Sequence, residues 1–125
     1  MRVIFAVLAV ASLQIAAAQS SILNRELLKD WVDMKDTMMK LANEMPEAKY
    51  PFKTTPAQRD FGQQVLHVAG GNVMNLSFLH GKAVPPAINR ARVIYFLLGH
   101  CWDIYGQMVV YLRLNGGVPP ASQRP

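Results

Sequence analysis

The chemistry open to this chain rests mainly on three histidines, His67, His80 and His100, since imidazole both binds metals and changes charge near neutral pH. His67 is followed by Val68-Ala69-Gly70-Gly71-Asn72. Two glycines inside a helix cost about 1 kcal/mol each relative to alanine, so the close approach of a second helix or a ligand must compensate. His100 is followed by Cys101, Trp102 and Asp103 and falls on an apolar stripe of Val93, Phe96, His100, Ile104, Met108 and Tyr111. His80 precedes Gly81 at the end of a helical pattern, where a positive side chain complements the helix dipole, which is a structural role. Taken singly, each histidine is explained more simply as a hydrogen-bonded core residue than as a metal ligand.

Most other chemistry is excluded by what the sequence lacks. It contains no G-x-S-x-G elbow, no phosphate-binding G-x-x-x-x-G-K-[ST] loop and no H-E-x-x-H. Cys101 is the single cysteine, so neither a zinc knuckle nor an intramolecular disulfide can form.

A chain of 125 residues predicts one domain. Residues 1–18 read as a signal peptide: Arg2 gives a positive start, Val3 to Leu13 an apolar run, and Ala16-Ala17-Ala18 a small-residue cleavage site before Gln19. The run falls short of the roughly 20 apolar residues that cross a bilayer, so the expectation is export to the periplasm or medium, with no stable membrane span after cleavage. The mature domain is then 19–125. Without Arg2 it carries 12 basic and 8 acidic residues, a net charge of +4. Its lysines and arginines are scattered, with no dense run and no interleaved aromatics, which argues against a nucleic-acid partner.

Three helices must position the histidines. Leu27, Trp31, Met34, Met38, Leu41 and Met45 recur at spacings of three and four, which predicts an amphipathic helix stopped by Pro46. Pro46 to Thr54 read as a loop. Thr55-Pro56-Ala57-Gln58 predict the start of a second helix, with Thr55 as cap and Gln58 completing a capping box. That helix carries Phe61, Val65, Val68, Leu76 and Leu79 and ends at His80-Gly81. After a connector at Lys82 to Pro86, a third helix is predicted over about Ile88 to Asn115, about 42 Å long at 1.5 Å per residue. Its Val109 to Leu114 stretch has strand-like composition but continues the helical stripe. The fold class is therefore all-α, an up-down bundle of three long helices, and the last helix is apolar enough on both faces to want a partner surface.

The segments LKDWVDMKDTMMKLANEMPEAKYPFKTTPAQRDFGQQVLHVAGGN (Leu28 to Asn72) and GHCWDIYGQMVVYLRLNGGVPPAS (Gly99 to Ser122) resemble the exported bacterial branch of the DinB-like family. The resemblance covers most of the mature chain. It implies a four-helix bundle whose centre binds a divalent metal, zinc or nickel foremost and iron as a further candidate. The ligands are three histidines, one from the second helix and two, four residues apart, from the last. Carried over, the second-helix ligand matches His67 and the first ligand of the last helix matches His100. The third position matches Ile104, which cannot bind a metal. Family members also carry a further helix after the segment matching His80 to Lys82, where this chain has only its short link. The resemblance thus implies a DinB-like bundle reduced to three helices.

Two functions follow as expectations. In the first, the protein is a metal-dependent hydrolase or thiol transferase acting on a small substrate, with His67 and His100 as ligands and Asp103, three residues after His100, turning in as a third. In the second, it is a non-catalytic binding or structural module of the same fold. Ile104 and the absent helix favour the second, and the apolar face left uncovered predicts a homo-oligomer.

Overall fold

The computed structural model describes the backbone of residues 2–81 and 88–123, and side chains from Ile22 onward within those ranges. The described residues are all-helical, without strands. Three helices carry the chain: α1 (Arg2–Glu44), α2 (Phe61–Leu79) and α3 (Arg90–Leu114). The chain divides into two compact units, residues 1–33 and 34–125.

In the first unit the backbone is helical from Arg2 to Asp33. The segment read as a signal peptide is therefore continuous with the helix that follows it, as suits an apolar run rich in alanine, the strongest helix former. Among its described side chains, Ile22, Leu23, Leu28 and Val32 are exposed, while Leu27 and Trp31 are half-buried.

The second unit holds the core. Met34, Leu41 and Met45 are buried, in keeping with the predicted stripe, and α1 ends at Glu44 ahead of Pro46. The expected loop contains one short 3-10 turn, Glu47–Lys49. Tyr50 packs edge-on against Phe61 and its hydroxyl donates to the Ala42 carbonyl (3.0 Å), which ties the loop to the end of α1.

The predicted start of α2 at Thr55-Pro56 is corrected. That segment closes a single turn, the Gln58 amide donating to the Thr55 carbonyl (3.1 Å), and the helix begins at Phe61. Asp60 is the cap: its side chain accepts from the Gln63 amide (2.7 Å), and the Gln63 side chain accepts from the Asp60 amide (3.0 Å). The remaining first-turn donors turn to the preceding loop, Phe61 N–H to the Phe52 carbonyl (3.1 Å) and Gly62 N–H to the Tyr50 carbonyl (3.0 Å). A helix starts where its four orphan amides find acceptors, and here those acceptors gather around Asp60. The other end is as expected: His80 caps α2 and Gly81 takes the left-handed conformation (φ 112°). The predicted connector at Lys82 to Pro86 lies outside the described residues.

Asn89 caps α3, its side chain accepting from the Arg92 amide (2.9 Å), and Gly116 (φ 80°) closes it. Val109 to Leu114 are helical. α2 and α3 run antiparallel, since Gln64 bonds Gln107 while Asn72 bonds Cys101. The buried seam of α3 is Val93, Leu97, Cys101, Ile104, Met108, Tyr111 and Leu112. This corrects the predicted stripe at one position: Phe96 is 51% exposed. Because α3 is apolar on both sides, hydrophobicity alone does not choose its inward face. α3 is also long and apolar enough, by length and composition alone, to cross a bilayer, a property it shares with the core helices of bundles.

Candidate metal centre

His67, from the middle of α2, and His100, from the middle of α3, face one another with their Nε2 atoms 3.2 Å apart. The rings lie edge to face, 5.0 Å between centroids at 73°, and both residues are half-buried. The glycine that admits this approach is Gly71. A Cβ built there would stand 3.1 Å from Cε1 and 3.6 Å from Nδ1 of His100, whereas one at Gly70 would meet nothing within 4 Å. The cost of the glycine pair is thus offset at one position only, by close approach of the α3 imidazole. Phe96 stacks nearly parallel on the His100 ring (5.9 Å between centroids, 14°), a second contact beside the close approach at Gly71.

The separation has two chemical readings. A neutral imidazole can donate Nε2–H to the other, but 3.2 Å is at the long end for a hydrogen bond, whose usual N–H distance to an acceptor is about 2.9–3.0 Å. Two imidazoles on one tetrahedral zinc, with bonds of about 2.0–2.1 Å, stand about 3.3–3.4 Å apart at nitrogen. The 3.2 Å separation lies at the edge of the hydrogen-bond range and just short of the zinc-bridged one. Nδ1 of His100 is buried and has no hydrogen-bond partner.

Asp103 is not gathered into this pair. It is exposed, and its carboxylate accepts from Nε2 of Gln107 (3.2 Å). Among the described residues no group of three or more His, Cys, Asp or Glu side chains converges as a metal site would. Ile104, at the position where the resemblance expects a third ligand, is 3% exposed and part of the apolar seam. His80 stays at the end of α2, exposed.

Sequence reasoning passed over the polar side chains around the pair. Gln64, one turn before His67, is buried, and its Nε2 donates to Oε1 of Gln107 (2.7 Å). Asn75 is buried too, and its Nδ2 donates to the Gly71 carbonyl (2.7 Å). Cys101 Sγ donates to Oδ1 of Asn72 (3.3 Å). Burial pushes the Cys101 thiol above its ordinary range, against a smaller opposing effect of that bond, so it is a packing residue and not a reactive thiolate. The available signal was positional: Gln64 and Gln107 sit three and seven residues from a histidine, on the same helix faces.

The His100 imidazole is held below its ordinary value near 6.5, first by burial and then by facing His67; Asp103 opposes this and Arg59 adds to it. The folded protein therefore resists a proton that the unfolded chain accepts, and stability falls as pH drops below about 6.5. Thermal melts in chelator from pH 7.5 to 5 are expected to show this decline, and His100→Gln is expected to flatten it. An equal decline in the variant would assign the effect elsewhere.

Compared with protein-family models, with curated proteins and with solved structures, the chain matches none.

Proposed function

We propose that this chain is an exported DinB-like bundle that holds one divalent transition metal between Nε2 of His67 and Nε2 of His100, and that it serves hydrolysis or thiol-linked group transfer on a small substrate. The observation that carries the reading is the 3.2 Å separation of the two nitrogens, at positions that match two of the three ligands in the resembled family. Bound there, the ion would supply Lewis acidity and a water of lowered pKa. The chain's own residues supply orientation: Gly71 lets α2 approach the His100 ring closely and Phe96 stacks on it, and Asp103, one turn on, places a negative charge near the pair, as its upward pull on His100 indicates. Two protein ligands leave the rest of the coordination sphere to water and substrate.

The test is zinc and nickel binding by calorimetry. The expected result is about one ion per chain at micromolar concentration, weakened at least about tenfold in His67→Ala, because a lone imidazole is a poor site. A folded wild-type protein that binds neither metal would sink the reading.

A second reading, a non-catalytic module that self-associates, is favoured by Ile104 in the third position and by Leu66, Val73, Tyr95 and Trp102, which are 73%, 71%, 70% and 56% exposed. Apolar side chains exposed on this scale suit association. A metal-free dimer in light scattering would favour it over the first.

A further inference from the structure

On its outward side α3 carries a repeat of its own. Tyr95, Gly99, Trp102, Gly106 and Val109 recur at alternating spacings of four and three, the heptad pattern by which one helix lies along another. Tyr95 and Trp102 are largely exposed, and so are Gly99 and Gly106, which alternate with them. A Cβ at either glycine would meet nothing within 4 Å among the described residues. Both glycines weaken the helix, and no described neighbour uses the space they leave. The rings between them are held in place: Trp102 packs edge-on against Tyr105 (5.9 Å, 87°), and the Arg92 guanidinium lies over Tyr95 (5.6 Å).

The order of large and small side chains selects the partner. Trp102 with Gly99, and Tyr95 with Gly106, share one midpoint in the chain, between His100 and Cys101. A two-fold axis through that point runs two copies of α3 antiparallel and sets every ring against a glycine of the other copy. Ala91 and Val110, both exposed, share the same midpoint and extend the match at each end. A parallel pair would instead set Trp102 on Trp102 and Gly99 on Gly99, crowding one layer and emptying the next. Self-complementarity about an axis is what a two-fold dimer requires. Charge does not oppose it: from Val93 to Leu112 Asp103 is the single Asp, Glu, Lys or Arg, so two copies of a basic chain meet there with little repulsion. At the roughly 150–250 Å² of an aromatic side chain, the exposed shares of Tyr95, Phe96 and Trp102 come to about 350 Å² per copy. With Ala91, Val110 and the glycine-lined backbone added, the seam of both copies reaches about 1,000 Å², the low end for a specific interface.

We infer that two copies of this chain pair through the outward stripe of α3, antiparallel about a two-fold axis between His100 and Cys101, with Tyr95 and Trp102 of each copy seated on the partner's Gly106 and the partner's Gly99. This rests on the self-association of the second reading above, gives it a surface and a register, and needs no metal. It also accounts for the second apolar side of α3, which the fold of one copy leaves uncovered. An interface of this size makes a weak dimer, formed at about 100 μM and dissociating toward about 1 μM.

The experiment is sedimentation equilibrium of the full chain and its variants. Gly99→Trp sets two indoles in one layer and Trp102→Gly empties that layer, so each alone is expected to weaken the dimer at least about tenfold. An equimolar mixture of the two is expected to associate with near wild-type affinity, because in the mixed pair every ring again meets a glycine. Should Trp102→Gly fail to melt cooperatively, Gly106→Leu carries the test: it strengthens the helix but fills the place of the partner's Tyr95, and is expected to weaken the dimer by a similar factor. Spin labels on Arg113→Cys read the orientation, with Cys101, 2% exposed, shielded from the reagent. Antiparallel helices set the two labels about 38 Å apart along the axis, and parallel ones about 10 Å apart. Labels at the short distance, or variants that associate as the wild type does, would overturn the inference and leave self-association to another surface. A wild-type chain that stays monomeric at about 100 μM would overturn both, and its sedimentation with phosphatidylcholine vesicles would assign the stripe to lipid.

Discussion

Ile104→His is expected to raise zinc affinity at least about a hundredfold, about 2.7 kcal/mol, while lowering the stability of the metal-free protein. Residues four apart on a helix stand on one face, so an imidazole at 104 projects from α3 one turn beyond His100 and completes three nitrogens around the position that the 3.2 Å pair defines. Three ligands with one open position is the arrangement of catalytic zinc sites. The cost arises because Ile104 is 3% exposed, within the apolar seam, and an imidazole buried there without a partner is destabilising by about 1–3 kcal/mol. Zinc reverses the sign, since an ion that binds only the folded state stabilises it in proportion to the logarithm of its concentration over Kd. Calorimetry and paired melts with zinc and with chelator measure both effects. A variant that is destabilised but gains no affinity would mean that the imidazoles at 67 and 100 meet as a hydrogen-bonded pair that does not admit an ion.

What could be read before the structure was what periodicity and backbone chemistry encode. Met34, Leu41 and Met45 keep the spacing that predicts their burial, and Pro46, Gly81 and Gly116 stand where helices end. The failures have physical causes. The Thr55 and Asp60 caps offer the same pattern, an oxygen-bearing side chain three residues before a glutamine. The choice between them is made by the Tyr50 and Phe52 carbonyls, whose positions depend on the fold of the preceding loop. Phe96 is assigned inward by any rule that counts hydrophobicity, yet the seam takes Leu97 and Cys101 and leaves Phe96 to cover the His100 ring. Within the candidate site, His67 and His100 were legible because imidazoles are rare and both fall mid-helix. Gln64 and Gln107 were not: a neutral amide on a helix carries no signature until a partner on another helix gives it one.

The neighbouring glycines separate the scaffold from the site, and the last expectation uses them. Gly70→Leu places a side chain where a Cβ meets nothing within 4 Å. It replaces the weakest ordinary helix former with a strong one, so it should stabilise the protein by up to about 1 kcal/mol and leave zinc binding unchanged. Gly71→Leu makes the same exchange one residue on and gains the same propensity, but its Cβ alone would stand 3.1 Å from Cε1 of His100, and the rest of the side chain claims the space of the ring. The His100 ring, which also stacks on Phe96, must then move away from α2. Zinc binding should then be lost as completely as in a His100→Ala protein. The His100 Cε1–H resonance should also titrate at its ordinary value, because the burial and the facing His67 that lower it are gone. Since intrinsic propensity favours both substitutions equally, a difference between them measures the contact between α2 and the imidazole. If Gly71→Leu bound zinc as the wild type does, that contact would have no part in holding the ion.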